Sequence, residues 1–221
     1  MQRNIDMNEI SDGNLYTSND LVRADCGGCL GCSACCRGMG TSIVLDPYDT
    51  QNIQKATGQS MEELLSTCLE LHVVDGLILP NMKMAEKTDA CVFLNSDGRC
   101  SIHALRPGFC RMFPLGRIYE DHSFRYFLQT KECRKSARAK IRIRKWLGIP
   151  DLKRYEQFIC DWHYLLKDLG RHIETVQDDA YQKQASLFLL KQFYMTPYAP
   201  EQFYEEFNTR LHGTRRLFHL S

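Results

Sequence analysis

Five cysteines fall within eleven residues of this sequence, in the stretch Cys26-Gly27-Gly28-Cys29-Leu30-Gly31-Cys32-Ser33-Ala34-Cys35-Cys36. Small residues and one leucine separate them, so the backbone can bend until several sulfurs face one centre. Thiolates are soft ligands that favour zinc, copper(I) and iron–sulfur clusters, whereas a hydrophobic core has no need of such a cluster of thiols. The stretch therefore predicts that the fold is built around a metal ion or an iron–sulfur cluster.

The composition is that of an ordinary globular protein. The chain has 221 residues, 43% of them hydrophobic, which suggests one domain or one domain with a helical extension. Its formal net charge of +1 gives no general reason to expect a nucleic-acid partner. The first residues lack a signal-peptide pattern, and no apolar run approaches the roughly 18 residues of a membrane span. We therefore expect a cytoplasmic protein that binds neither nucleic acid nor membrane.

The cytoplasm is a reducing compartment, so clustered cysteines there bind metal more often than they form disulfides. The sequence contains eleven cysteines. Cys68 and Cys160 sit within helical patterns, and we expect them to be small buried residues. The other nine lie in loop-like contexts and are the predicted metal ligands: Cys26, Cys29, Cys32, Cys35, Cys36, Cys91, Cys100, Cys110 and Cys133.

Two ligand spacings compete within the first block. The C-x2-C-x2-C-x3-C spacing of bacterial ferredoxins is formed by Cys26, Cys29, Cys32 and Cys36. The C-x2-C-x2-C-C spacing is formed by Cys29, Cys32, Cys35 and Cys36. Successive side chains diverge, so Cys35 and Cys36 could serve different centres, or one of them could lie just outside the ligand shell. The thiol left over would be Cys26 or Cys35.

A structural zinc ion is the alternative to a cluster, because it needs four ligands that often come from two distant pairs. The remote half could be supplied by Cys91, Cys100, Cys110 and Cys133. Nine thiols exceed what one centre uses, so we expect either two metal sites or one cluster with spare thiols. His103 could also ligate, although an isolated histidine is more often a polar surface residue.

Arginines accompany the cysteines. Arg37, Arg106 and Arg111 are the predicted cofactor-binding cations, and Arg99 and Arg117 belong to the same motifs. Four thiolates around a cluster leave net negative charge, which nearby cations offset while they tune its potential. Alternatively, one or two guanidinium groups bind an anionic substrate such as a carboxylate. The sequence leaves the catalytic residues unidentified.

Capping signals predict two helices between the cysteine blocks. Asp46-Pro47 should begin the first helix, and Gly58 should end it. Ser60 and Glu63 have the spacing of a capping box for the second helix, which should run through Leu69.

Turn residues predict three hairpins. Their turns are Asp75-Gly76, Asp97-Gly98 and Glu120-Asp121-His122. Cys91 and Cys100 would lie on the two arms of the second hairpin and face one site.

From Arg134 onward the pattern becomes helical. Residues 131–145 hold eight Lys or Arg and one Glu, which usually marks a solvated helix face and alternatively an anionic-partner surface. Asp151 should begin a long helix, with apolar residues at three- and four-residue steps, that Gly170 stops. Two further helices are predicted, over residues 179–194 and 203–211.

These elements predict an α+β fold, in which a small cysteine-rich metal or cluster domain with short hairpins is followed by a helical C-terminal cap. The expected division is a polar leader over residues 1–24, a cysteine-cluster domain over residues 25–133, and a helical extension packed on it over residues 134–221.

The two cysteine blocks together resemble a known family. The motifs are Cys29-x2-Cys32-x2-Cys35-Cys36, then Cys91-Val92-Phe93-Leu94, Gly98-Arg99-Cys100-Ser101-Ile102-His103 and Arg106-Pro107-x2-Cys110-Arg111-x-Phe113-Pro114. This combination is similar to the YkgJ-type cysteine-cluster family, also called the CxxCxxCC zinc- or iron-chelating domain. Cys26 adds one CxxC step to the family pattern. The resemblance implies a protein that binds a metal or a cluster.

The family includes flagellin lysine N-methylase, so the resemblance also implies S-adenosylmethionine-dependent methylation of protein lysines as one activity. The lead hypothesis is a [4Fe–4S] cluster held by the first block and part of the second. The alternatives are a zinc-binding structural or interaction module and the methyltransferase-like enzyme. A protein partner or protein substrate is a further expectation.

Overall fold

The fold is described from a computed structural model, which covers residues 7–27, 32–135 and 137–220. The helices of this part of the chain are α1 (Met7–Ile10), α2 (Pro47–Thr57), α3 (Met61–Thr67), α4 (Gly108–Met112), α5 (Ile143–Leu147), α6 (Leu152–Val176), α7 (Asp179–Leu189) and α8 (Phe203–Leu217). Its strands are β1 (Leu21–Asp25), β2 (Leu69–Val74), β3 (Leu77–Met82), β4 (Met84–Ala85), β5 (Ala90–Cys91), β6 (Leu115–Glu120), β7 (Ser123–Leu128) and β8 (Ala139–Arg142). Short antiparallel pairs followed by helices confirm the predicted α+β class.

The two capped helices begin where the sequence predicts. The Asp46 carboxylate accepts a hydrogen bond from the Asp49 N–H, and Gly58 ends α2 with φ 72°. Ser60 and Glu63 form the predicted capping box of α3. The predicted continuation through Leu69 is wrong, because α3 ends at Thr67 and Leu69 pairs with Met82 in the β2–β3 ladder. The backbone conformation of Leu69 is set by its pairing with Met82 and not by the helix that precedes it.

Two of the predicted hairpins are confirmed as paired strands. β2 pairs with β3 across Asp75-Gly76, and β6 pairs with β7 across Asp121-His122. Asp75, Asp121 and His122 all have positive φ, as does Gly76. This left-handed backbone suits the right-handed twist of the flanking strands, and Asp and Gly adopt it more readily than most residues.

The helical prediction from Arg134 onward is wrong over residues 139–142. These residues form β8, which pairs antiparallel with β1. The pairing turns Val22 and Ala24 inward, where they are buried with residues that include Ile143 and Leu147. Strand β1 lies almost wholly within the predicted leader. Because β1 pairs with β8, residues 21–25 are joined to the segment that leads into the helices.

Helix α6 begins beside Asp151 as predicted, but it does not stop at Gly170 and instead continues to Val176. A Cβ atom added at Gly170 would lie 3.1 Å from the carbonyl oxygen of Asp75 in the β2–β3 turn. Glycine therefore favours close approach between the helix and the hairpin at this position, and it does not end the helix. A π-helical turn, Leu190–Met195, follows α7, and α8 occupies the predicted last position.

One large core joins the cysteine-bearing segments to the C-terminal helices. The aromatic residues of α6 lie in it, with Phe158 against Phe207 at 4.6 Å and Trp162 against Phe193 at 5.0 Å between ring centroids. Ile43 and Ile102 belong to the same core and also line the cysteine site. The site thus lies at the edge of the packed interior. Within the described ranges, none of the helices is both long and apolar enough to cross a membrane.

Candidate metal centre

Six cysteines from separate segments line one cavity, which we call the larger cavity. They are Cys32, Cys35, Cys36, Cys91, Cys100 and Cys110. The cavity measures about 70 Å³, whereas about 10–15 Å³ by the same measure holds one water molecule. It therefore has room for more than a single ion.

Backbone pairing brings the first and second cysteine blocks together. Arg37 forms an antiparallel bridge with Ala90, and the Gly38 N–H donates to the Asp89 carbonyl at 2.8 Å. In this register Cys36 lies beside Cys91, although 54 residues separate them in the chain. The first half of the site is thereby fixed against β5.

Cys100 is positioned by a tight turn. The Asn95 side-chain oxygen accepts hydrogen bonds from the N–H groups of Asp97 and Arg99, and Leu94 forms a bridge with Cys100. Cys91 precedes this turn and Cys100 follows it, and both line the larger cavity.

Cys110 is carried by α4, and three contacts fix this short helix. The Gly108 N–H donates to the Asp49 carboxylate at 2.7 Å. The Trp146 indole N–H lies 3.3 Å from the Met112 carbonyl and 3.2 Å from the Phe113 carbonyl. These contacts tie α4 to α2 and α5, so the Cys110 thiol is placed by residues that are distant in sequence.

Gly108 itself is required by close packing. A Cβ atom at this position would lie 2.2 Å from the Tyr155 hydroxyl and 3.6 Å from the Asp49 carboxylate. Burial raises the pKa of the Asp46 and Asp49 carboxyl groups above their usual range. The buried Asp49 carboxyl group and the buried Tyr155 hydroxyl thus both lie against Gly108, the first residue of α4.

The adjacent thiols Cys35 and Cys36 differ in their electrostatics. They lie on the 3₁₀ turn Ala34–Cys36. A hydrogen bond between the two sulfurs, followed by burial, raises the pKa of Cys35, and the same hydrogen bond lowers the pKa of Cys36. Cys36 is therefore the acceptor of the pair and the thiol that loses its proton first.

Burial favours the neutral form of three further thiols of the larger cavity. Burial raises the pKa of Cys91, Cys100 and, most strongly, Cys110. A metal ion must displace these protons, because the thiolate is the ligand. Metal binding at this cavity would therefore release protons and become tighter as the pH rises.

A second, smaller cavity adjoins the first and measures about 20 Å³. Cys26 and Cys133 line it together with Cys32 and Cys35, which also line the larger cavity. Cys29 lies outside the described residues. In the described part of the chain, no disulfide links one cysteine to another.

The two cysteines predicted to have no ligand role line neither cavity. Cys160 is buried, and its thiol donates to the His122 carbonyl at 3.0 Å. Cys68 is half-buried against the core and follows the last residue of α3.

The three arginines predicted to bind the cofactor are placed differently. Arg106 lines the larger cavity, and its Nη1 atom lies 3.0 Å from the His103 ring. The Arg111 guanidinium donates to the Ala104 and Leu147 carbonyls at 2.6 and 3.3 Å, which fixes the backbone around α4. Arg37 is exposed and lines neither cavity.

Three residues outside the predicted ligands and the predicted cofactor-binding cations also shape the site. Arg99 lines the larger cavity, and its buried Nη1 atom has no hydrogen-bond partner among the described residues. Phe113 and Trp146 line both cavities. The one local signal for Arg99 is its position beside Cys100, and only the folded chain brings Trp146 to the cysteines.

The described donors do not yet form a closed ligand shell. Among residues 7–27, 32–135 and 137–220, no three His, Cys, Asp or Glu side chains are arranged so that they could hold one metal ion. The thiols surround an open space instead of meeting at a point. A bound group must either fill that space or draw the sulfurs inward.

We expect Asp49→Ala to destabilise the protein by roughly 1–3 kcal/mol, because the Gly108 N–H would be buried without its acceptor. Thermal denaturation should show a Tm lower by about 2–4 °C for each kcal/mol. Metal retention should fall as well, since α4 carries Cys110. Asp49→Asn keeps an acceptor oxygen and serves as the matched control. A Tm and metal content equal to those of the wild type in Asp49→Ala would contradict the positioning role.

Comparison with known proteins places the cysteine-bearing part of the chain in a family. No curated protein and no solved structure is significantly similar to this chain. A family model, CxxCxxCC, described as "Putative zinc- or iron-chelating domain", matches residues 28–138, half of the 221 residues. The match begins after Cys26 and contains the other four cysteines of the first block and all of the second. The matched range and the gathering of its cysteines around one cavity support metal binding, and the chain belongs to the CxxCxxCC zinc- or iron-chelating family.

Proposed function

We propose that the protein holds a [4Fe–4S] cluster in the larger cavity. The observation that carries the proposal is the convergence of six cysteines on one cavity of about 70 Å³. Four of them line this cavity and not the smaller one, and they form the proposed ligand set: Cys36, Cys91, Cys100 and Cys110. Four cysteine thiolates are the usual ligands of such a cluster.

The spread of the thiols favours a cluster over a single zinc ion. Tetrahedral zinc at about 2.3 Å from each sulfur brings the sulfurs within about 3.8 Å of one another. No three donors among the described residues have an arrangement that suits one ion. A cluster with four metal atoms binds each cysteine at a different corner, so it suits thiols that surround an open cavity.

The other residues of the cavity suit a negatively charged group that must be kept from water. Apolar side chains form much of the lining: Ile43, Met82, Phe93, Ile102, Phe113 and Trp146. Arg99 and Arg106 add positive charge on the same lining. The unpartnered Nη1 atom of Arg99 is a buried cationic donor, which is costly unless an acceptor is present. A thiolate or a cluster sulfide would be that acceptor.

We also place the protein in the cytoplasm. Ten described cysteines without a disulfide among them suit a reducing compartment. When bound, the cluster would supply one-electron redox chemistry or a structural anchor. The chain's own residues would supply the thiolates, the neighbouring cations and a largely apolar lining.

Anaerobic purification tests the proposal. The protein should be brown, with broad absorbance at about 400 nm, and should contain about four iron atoms per chain. The cells are grown with ample iron, and the purified protein is analysed for both iron and zinc, so that a low iron content cannot be due to iron-poor growth. A colourless protein with one zinc ion per chain and no iron would overturn the cluster assignment and favour the zinc-binding module instead.

A further inference from the structure

The outer face of the β1–β8 ribbon, the antiparallel pair formed by these two strands, carries mainly positive charge. Burial alternates along β1, so Leu21 and Arg23 are exposed and the residue between them is buried. Arg142 pairs with Leu21 and Lys140 pairs with Arg23, and residues directly opposite each other lie on the same face of a sheet. We call these four exposed residues the basic face.

The strand pairing places two cations of the basic face directly opposite each other. Arg23 and Lys140 are the pair. Cβ atoms of such pairs are about 4.5–5.5 Å apart, and like charges in this arrangement destabilise a sheet. A solvated helix face, the usual reading of the basic run over residues 131–145, would not bring Lys140 against Arg23. A charge arrangement that costs stability indicates a functional role for these cations.

Neighbouring carboxylates do not neutralise the basic face. Asp20, just before β1, accepts hydrogen bonds from the Thr17 N–H and hydroxyl at 2.7 and 2.8 Å. Asp25, at the other end of β1, accepts one from the Gly27 N–H at 2.9 Å. Among the described residues, none of the ion pairs includes a cation of the basic face. Its positive charge can therefore pair with carboxylates from another molecule.

The distribution of charge along the chain favours a protein as that molecule. Residues 131–145 contain eight Lys or Arg and one Glu, whereas the whole chain has 28 Lys or Arg and 27 Asp or Glu. The rest of the chain therefore holds 20 basic and 26 acidic residues. A nucleic acid or an anionic membrane extends beyond a small basic surface and would be repelled by this acidic remainder. An acidic patch on a protein can match the basic face alone.

We propose that the basic face is a docking surface for an acidic patch of a partner protein. Strands of four and five residues form a ribbon about 13–17 Å long at about 3.3 Å per residue. Arg23, Lys140 and Arg142 would pair with carboxylates of the partner, and Leu21, which is 53% exposed, would make an apolar contact among them. The inference goes beyond the proposed function, because it does not depend on which metal the cysteines bind.

The basic face leads directly to the cysteine-lined cavities. At one end of the ribbon Asp25 pairs with Ala139, and Cys26 follows Asp25 in the chain. Arg134 and Lys135 line the smaller cavity together with Cys26, so they continue the positive surface to its edge. A protein bound to the basic face would therefore lie beside the candidate metal centre.

The test measures binding of a fluorescently labelled peptide of ten glutamates to the metal-loaded protein by fluorescence anisotropy. The wild type should bind it, and raising NaCl from about 50 to about 300 mM should weaken binding at least about tenfold. Lys140→Glu/Arg142→Glu should weaken binding at low salt by at least about tenfold. The matched control Lys183→Glu/Lys191→Glu changes the net charge equally, beyond the ribbon, and should weaken it less than about twofold. Equal weakening in both variants, or no binding by the wild type, would overturn the proposal.

Lys140→Glu alone separates binding from stability. Its new carboxylate would face Arg23 as an opposite charge, so the Tm should rise by about 1–4 °C while peptide binding weakens. A fall in both the Tm and the binding would give the lysine a structural role and contradict the proposal.

Parallel titrations of the wild type examine the other two classes of partner. The probes are a 20-base-pair DNA duplex and vesicles that contain phosphatidylserine. Both should bind more weakly than the peptide at about 150 mM NaCl, because each would also meet the acidic remainder of the protein. Tighter binding of either probe would assign the basic face to nucleic acid or to membrane and would refute a protein partner.

Discussion

Cys36→Ser is expected to remove nearly all metal from the larger cavity, leaving less than about a tenth of the wild-type iron. Cys36 lines this cavity, lies beside Cys91 in the backbone register, and has its pKa lowered by the hydrogen bond from Cys35. Serine cannot supply the soft thiolate that the centre needs. Because metal binding and folding are coupled, the Tm should also fall, by roughly 5–10 °C. Iron analysis, the absorbance at about 400 nm and a thermal melt measure these effects.

Cys160→Ser is the matched control for this prediction. Cys160 lies outside both cavities, and its thiol donates to the His122 carbonyl at 3.0 Å. A serine hydroxyl can donate the same hydrogen bond, so metal content should stay at the wild-type level. Metal loss in both variants would show that the effect is general unfolding. Full metal retention in Cys36→Ser would remove Cys36 from the ligand set.

The second large effect is expected from Gly108→Ala. The new Cβ atom would lie 2.2 Å from the Tyr155 hydroxyl, so either the buried Tyr155 ring or α4, which carries Cys110, must shift. Overpacking of this kind costs roughly 1–3 kcal/mol, and a displaced Cys110 thiol should also weaken metal binding. Denaturant unfolding gives the free energy change, and iron analysis gives the effect on the centre.

A double mutant separates this clash from other effects of the substitution. In Gly108→Ala/Tyr155→Phe the nearest atom of residue 155 would be Cζ at 3.5 Å, which is an ordinary contact. Tyr155→Phe alone is the reference for the lost hydroxyl, whose pKa is affected by burial and by the neighbouring Arg117. Stability and metal content should therefore recover in the double mutant. If they stay as low as in Gly108→Ala, steric contact with Tyr155 is not the cause.

Gly213→Ala is expected to have the opposite effect on the stability of the protein. Gly213 lies inside α8, and a Cβ atom there would meet nothing within 4 Å. Alanine is the better helix former, so this variant should gain up to about 1 kcal/mol and keep its metal. If Gly108→Ala and Gly213→Ala both lower the stability, the loss at Gly108 cannot be assigned to its close packing.

Local sequence signals determined much of the fold. The capping residues Asp46 and Ser60 and the Asp75-Gly76 turn act on backbone atoms within a few residues of themselves. The apolar periodicity of α6 is also visible in the sequence, although the helix is stabilised by burial of that face in the core. The geometry of the caps and the turn follows from hydrogen bonds and torsions that need no distant partner. Elements of this kind could therefore be predicted from sequence.

The predictions that are wrong concern residues whose structure depends on distant partners. Residues 139–142 are a strand because β1, more than a hundred residues earlier, pairs with them and buries Val22 and Ala24. Gly170 lies inside a helix at a point where the Asp75 carbonyl approaches closely and would crowd a side chain. Neither partner can be identified from the residues next to the element.

For the metal centre, the sequence by itself determined the chemistry. Clustered cysteines, small spacers and adjacent arginines indicate thiolate ligands and a negatively charged group, whatever the path of the chain. Only the tertiary structure decided how the thiols are divided, because the Arg37–Ala90 bridge and the Asp49–Gly108 hydrogen bond bring Cys36, Cys91 and Cys110 together. Cys26 and Cys133 are drawn instead to the smaller cavity at the end of the β1–β8 ribbon. Spacing along the chain fixes which atoms could bind, whereas long-range backbone pairing fixes which of them meet.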